Sequence, residues 1–293
     1  MKSILIPLDF SEVSSNALAY GINIARAFDA KLNLLHAYHT TPANLDIKTK
    51  SHQEELAYFR KSALSELESI QADITQKFHL ECEIINEEGF ALEKIISYAN
   101  SWDYDLLIIG TESRGPLDKF VFGSITGKVL DKVQCRLLIV PQASSFDTPK
   151  NIAFALDYHD TDQDDLLFLE ELANRFDSEL SVIRVTSGEK DDEWESKMMK
   201  DFRFDIDDML PDNDISWHFI LGKNVPKQLE KFVNNYNVDL LATSKSKLSL
   251  LAQLFSGSIT KKVFYRTDIP LLVFHAEDSD LRSYRMEKDS RYE

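Results

Sequence analysis

Cysteine is scarce in this sequence: Cys82 and Cys135 are the only two among 293 residues, and no CxxC spacing joins them. That excludes a disulfide framework and a thiolate zinc site, and it suits a reducing compartment. Both cysteines stand among strand-forming residues and are expected to be buried thiols. Long apolar runs are missing as well. The opening MKSILIPLDFS has too few apolar residues before Asp9 for a signal-peptide core, and no later stretch approaches a membrane span. A cytoplasmic chain is expected. Positive charge is also short, with 33 Lys and Arg against 49 Asp and Glu, a net −16. An acidic body opposes docking onto phosphate backbones or anionic lipid, so neither nucleic acid nor membrane is an expected partner. The seven histidines show no ligand spacing, since His36-x2-His39 has no acidic or cysteine company.

What the sequence does have is itself, written twice. Lys2-Ser-Ile-Leu-Ile-Pro-Leu-Asp9 is echoed by Lys150-Asn-Ile-Ala-Phe-Ala-Leu-Asp157, and Lys31-Leu-Asn-Leu-Leu-His36 by Glu179-Leu-Ser-Val-Ile-Arg184. Asp105-Leu-Leu returns as Asp239-Leu-Leu, Gly123-Ser-Ile-Thr126 as Gly257-Ser-Ile-Thr260, and Leu137-Leu138 as Leu271-Leu272. The offset drops from 148 to 134 between the second pair and the third. The second copy has therefore lost residues around its second helix.

Each copy alternates short β-rich runs with longer amphipathic ones. In the first, the pattern predicts strands near 3–8, 31–37, 80–86, 105–110 and 136–140, and helices near 12–28, 51–77, 90–101 and 124–133. In the second, it predicts strands near 151–156, 179–185, 215–220, 239–243 and 270–274, and helices near 161–176, 191–204, 224–236 and 258–266. Ser11 can cap the first helix. Strict βα alternation means parallel strands with helices on both faces. The fold class expected is α/β: two tandem doubly wound, five-stranded parallel-sheet domains of Rossmann-like, flavodoxin-type order. The domains span 1–143 and 149–276, with a polar tail at 277–293.

That order places strand one beside strand four, and ligands bind where the winding reverses, outside the carboxyl ends of those strands. The residues to interrogate are Pro7, Leu8 and Asp9 at the end of strand one, and Ile109, Gly110 and the following loop at the end of strand four. The loop reads Gly110-Thr-Glu-Ser-Arg-Gly-Pro-Leu-Asp-Lys-Phe-Val-Phe-Gly123-Ser124. Glycines let a backbone approach an anion, and a helix starting near Ser124 aims free N–H groups at it, with hydroxyls from Ser124 and Thr126. The same Gly-Ser is equally a plain helix start. Two look-alikes fail. Gly110-x4-Gly115 has phosphate-loop spacing, but Pro116 stands where lysine is needed. Strand one runs into Asp-Phe-Ser-Glu, not a glycine-rich dinucleotide turn. A phosphorylated receiver domain is likewise unsupported, since Asn86 and Gln142 lie near the points where its Asp and Lys belong. Asp160-Thr-Asp-Gln-Asp-Asp165 lacks the glycine and terminal Glu of a cation loop.

These residues resemble the universal stress protein family, whose nucleotide-binding members carry G-x2-G-x9-G-S/T after strand four. The resemblance covers nearly the whole chain in two copies, and implies an adenine-nucleotide (ATP or AMP) site in copy one. There Pro7, Leu8, Asp9 and Ala37 hold adenosine, and Ile109 and Gly110 line the ribose. Ser113, Arg114, Gly123, Ser124, Ile125 and Thr126 meet the phosphates, with Mg2+ or Mn2+ as the accompanying ion. The pattern is altered at one position, Ser113 standing for the second glycine. Copy two changes both loop glycines, to Ser244 and Lys247. Implied partners are the nucleotide, a protein not nameable from sequence, and the other copy, packed through the fifth strands as a pseudo-twofold dimer within the chain, or a homodimer of chains. A ligand-free scaffold of the same fold is the alternative. An adenine-nucleotide ligase or pyrophosphatase lacks its S-G-G-x-D-S or H-x-G-H motif. No catalytic residue is expected, and ATP hydrolysis at most a slow one.

Overall fold

A computed structural model describes residues 1–39, 52–101, 103–112, 124–156, 162–186, 192–210, 214–244 and 269–275. They divide into two compact units, one drawn from Met1–Glu112 and Val121–Phe146, the other from Asp147 onward.

The first unit runs β1 (Ser3–Pro7), α1 (Glu12–Phe28), β2 (Lys31–Tyr38), α2 (His52–Phe78), β3 (Cys82–Glu88), α3 (Ala91–Ala99), β4 (Leu106–Thr111), α4 (Ser124–Lys132) and β5 (Arg136–Pro141). Its strands are all parallel and lie in the order β3-β2-β1-β4-β5. Strand one thus sits between strands two and four, as the doubly wound reading requires. The central strands are buried on both faces: Ile4, Leu5, Ile6, Leu32, Leu34, Leu106 and Leu107 are at most 2% exposed. The second unit repeats the scheme with β6 (Asn151–Ala155), α5 (Asp162–Phe176), β7 (Glu179–Thr186), α6 (Asp192–Met209), β8 (Ile215–Leu221), α7 (Val225–Asn235), β9 (Leu240–Ser244) and β10 (Leu271–Phe274). Here the order is β10-β9-β6-β7-β8, again parallel. The helix predicted at 258–266 lies outside the described residues.

The duplication extends to side-chain chemistry. Asp105 Oδ2 accepts the backbone N–H of Lys2 at 2.6 Å and of Ser3 at 3.0 Å, and Asp239 Oδ2 accepts those of Lys150 at 2.7 Å and Asn151 at 2.9 Å. In both units one carboxylate clamps the start of the first strand to the start of the fourth. α1 and α5 both end on an aspartate in the left-handed region, Asp29 at φ 52 and Asp177 at φ 54. The lost residues fall where the offset put them, for α2 has 27 residues and α6 only 18.

Element ends differ from expectation by a few residues, each for a tertiary reason. β3 reaches Glu88 because it stays in register with β2 as far as Tyr38, which overrides the polar Asn86-Glu87-Glu88. α6 runs to Met209, past the expected 204, because Phe202 and Ile206 continue a buried i, i+4 stripe. Both cysteines are buried free thiols. Burial, with Glu83 beside it, pushes the Cys82 thiol up to about 12, so it is not a thiolate at neutral pH.

One buried polar group sits badly. Thr243, at the place that Ile109 holds in the first unit, is fully buried, and its Oγ1 finds no hydrogen-bond partner among the described residues. An orphaned buried hydroxyl costs about 1–3 kcal/mol. Thr243→Val keeps the shape and removes the orphan, so it should raise the urea midpoint of the second unit's unfolding. A lowered midpoint would show that the hydroxyl is satisfied.

Candidate functional site

The carboxyl ends of β1 and β4 meet at the switch point of the first unit. Leu8 continues the inner strand, donating its N–H to Leu35 O at 2.8 Å. The chain then turns sharply at Phe10, which takes φ 62, a left-handed conformation costly for a bulky residue. Two contacts hold it there. His36, from the end of β2, stacks on Phe10 with ring centroids 4.5 Å apart. The same histidine places Nδ1 2.7 Å from Leu8 O; a carbonyl only accepts, so Nδ1 carries the proton. The turn brings Asp9 to the surface and sends the chain into α1, whose cap is Ser11, Oγ accepting from Ser14 N at 3.2 Å.

Asp9 is fastened by its own turn. Its Oδ1 accepts from Ser11 N at 3.0 Å and Ser11 Oγ at 2.5 Å, while its backbone N–H donates to Ser14 Oγ at 3.4 Å. Partial burial pushes its carboxyl up, but hydrogen bonds from the Ser11 and Ser14 side chains and from backbone N–H groups outweigh that. The net pKa falls below the ordinary 3.8. A depressed carboxylate stabilises the fold above its unfolded pKa, and loses that contribution as pH falls through the lower folded value. Asp9→Asn should therefore lower the urea midpoint at neutral pH and converge with the parent in a window below pH 3.8. A difference that persists in strong acid would show that ionisation is not its source.

On the other lip, β4 ends at Ile109-Gly110-Thr111. A Cβ placed on Gly110 would lie 2.5 Å from the backbone oxygen of Val13 and 2.6 Å from its Cγ1. Gly110 thus lets the first turn of α1 rest on the end of β4. The sequence offered only the other use of this glycine, close approach to an anion. α4 begins at Ser124; Thr126, buried, donates from Oγ1 to Gly110 O at 3.4 Å, and Ile125 stands 39% exposed. Pro7 is the last residue of β1, and Ala37 the last but one of β2. The structure therefore places Pro7, Leu8 and Asp9 at the end of β1 and Ile109 and Gly110 at the end of the adjacent β4, with Thr126 of α4 tied to Gly110; Ile125 is on the first turn of α4 and Ala37 near the end of β2. Ser113, Arg114 and Gly123 lie outside the described residues. Sequence reading missed Ser14 and His36. The D-F-S-x2-S spacing could have pointed to Ser14, whereas His36 matters only through a contact 28 residues away.

The second unit's equivalent place is built differently. Gly110 is replaced by Ser244, buried, and His36 by Arg184; Asp157 lies outside the described residues. No group of three metal-ligating side chains occurs among the described residues. No described helix is long and apolar enough to cross a membrane.

The sequence profile of the Universal stress protein family matches residues 1–141 and, again, residues 148–275. The chain belongs to this family. A universal stress protein of Methanocaldococcus jannaschii, MJ0531, is 27% identical over 143 residues, 47% of this chain and 81% of that protein. Stress response protein NhaX of Bacillus subtilis is 24% identical over 159 residues, 47% of this chain and 96% of its own length. The crystal structure of a universal stress protein from Archaeoglobus fulgidus is similar throughout, with a TM-score of 0.70 at 16% identity, covering 93% of this chain and 98% of that one. At that identity the likeness speaks for the fold alone. It is the universal stress protein fold in tandem.

Proposed function

We propose that the first unit binds an adenine nucleotide, ATP or AMP, and that the chain acts as a regulatory or stress-protective binding protein. The observation that carries this is the crevice between β1 and β4. An outward-facing carboxylate, Asp9, is held ionised on one lip, and a helix amino terminus with Thr126 tied to Gly110 stands on the other. The carboxylate suits the amino group or hydroxyls of adenosine, and the helix start suits phosphate. A divalent ion, Mg2+ or Mn2+, would ride on the phosphates.

Catalysis is not part of the proposal. Asp9 is committed to Ser11, and a carboxyl held below its ordinary pKa is a weak general base. ATP turnover should stay at or below about one per minute, against an enzyme median of about ten per second. The test is mass spectrometry of small molecules released from the purified, acid-denatured protein, followed by calorimetry with ATP and AMP. Adenine nucleotide recovered with the parent, and lost with Asp9→Ala, is the result expected. No released nucleotide and no heat with either ligand would leave a ligand-free scaffold. The second unit, in which both loop glycines are replaced, is the copy expected to be such a scaffold.

A further inference from the structure

The two units share a fold but guard their outer strands differently. β3 ends one sheet. Leu32 donates to Glu81 O and Gly89 donates to Tyr38 O, so by alternation the even-numbered residues of β3 turn their backbone groups outward. α2 caps that edge, Gln71 Nε2 donating to Cys82 O at 2.6 Å. Charge surrounds it as well: Glu81 and Glu83 hold Lys31, and Glu87 holds Lys94. These are the devices that stop an edge strand from recruiting another strand.

β8, the matching strand of the second unit, carries no charged residue of its own, and α6 meets it through Phe202, whose ring stands edge-on to Trp217. Gly222 donates to Thr186 O, so Trp217, Phe219 and Leu221 turn their N–H and C=O groups away from β7. No described strand pairs on that side. The strand reads Ile-Ser-Trp-His-Phe-Ile-Leu221, without Lys, Arg, Asp or Glu. Its histidine, His218, faces inward onto Phe232, where burial pushes its pKa down. Phe219 is 43% exposed and Leu221 71%. Around this apolar edge exposed acidic groups outnumber basic ones: Asp201, Asp205, Asp207 and Asp208 of α6 and Asp214 before β8 stand against Lys197, Lys200 and Arg203 of α6, the last paired with Asp207, and Lys223 after β8.

We propose that the open edge of β8 receives an extended segment of a partner protein, in which apolar residues alternate with lysine or arginine, by strand addition. Backbone groups supply the pairing, Phe219 and Leu221 the apolar contacts, and the aspartates of α6 the selection for a cationic strand. A second copy of this chain is the wrong occupant, because it would bring one acidic α6 region against another.

The probe is an acetylated, amidated eight-residue peptide alternating valine and lysine, with a valine–glutamate peptide as control. Amide hydrogen exchange of the full chain is followed by NMR. The lysine peptide should slow exchange at Trp217, Phe219 and Leu221 about tenfold or more, with little change at the β3 edge. Phe219→Lys and Leu221→Lys, surface changes that leave the unfolding midpoint in place, should abolish that protection. Equal protection by the glutamate peptide, or none by the lysine peptide, overturns the proposal. So does protection without peptide that grows with protein concentration, since a second copy would then occupy the edge.

Discussion

Gly123→Val should abolish ATP binding to this chain, whereas Gly257→Val should leave it unchanged. α4 starts at Ser124, so residue 123 stands immediately before the helix amino terminus that the phosphates would face, and a branched side chain there obstructs their approach. The parent should bind one nucleotide per chain with micromolar affinity, about −8 kcal/mol. Asp9→Ala should weaken it at least about tenfold, as loss of a charged hydrogen-bond acceptor does. If the altered loop needs a left-handed residue at Ser113, Ser113→Gly should tighten binding by about 1–2 kcal/mol. Calorimetry on these variants decides the matter. Equal loss from Gly257→Val would move the working site to the second copy, and binding untouched by Gly123→Val would refute the phosphate placement.

Gly110→Ala should destabilise the first unit by about 1–3 kcal/mol, the usual cost of forcing a methyl into filled space. The obstacle is backbone, the Val13 oxygen at 2.5 Å, so no rotamer change relieves it. Val13→Ala should therefore fail to rescue Gly110→Ala, although it removes the second contact, at Cγ1. Nucleotide affinity should fall along with stability, because Val13 and Ser14 share the turn that steadies Asp9. Urea unfolding of the two single variants and the double variant measures the first effect. Full rescue by Val13→Ala would mean that the helix start is free to move.

Most of the fold was legible because the repeat supplied it twice. A short strand buried on both faces, such as β1 or β4, is a continuous apolar run, and periodicity finds such runs. Ends that depend on a neighbour were not legible: β3 is extended by its register with β2, and α6 by a buried stripe. At the candidate site, topology alone indicated Asp9 and Gly110. The reason for the glycine was not readable, because its constraint comes from Val13, 97 positions earlier in the chain. His36 looked like an ordinary strand histidine, since neither Phe10 nor the Leu8 carbonyl is near it in sequence.

The carboxylate clamp at Asp105 bears on how the unit is assembled as it is synthesised. It joins residues 103 apart, and its twin at Asp239 joins residues 89 apart. β1 is central, yet one of its two neighbours, β4, is translated only after three strands and three helices have emerged. Until then, β1 has one bare edge, on the side where the crevice will form. Non-local pairing of this kind is slow and leaves such edges exposed to wrong partners. The crevice between β1 and β4 thus forms late, and a nascent chain cut short before Asp105 has three of the unit's five strands and no crevice.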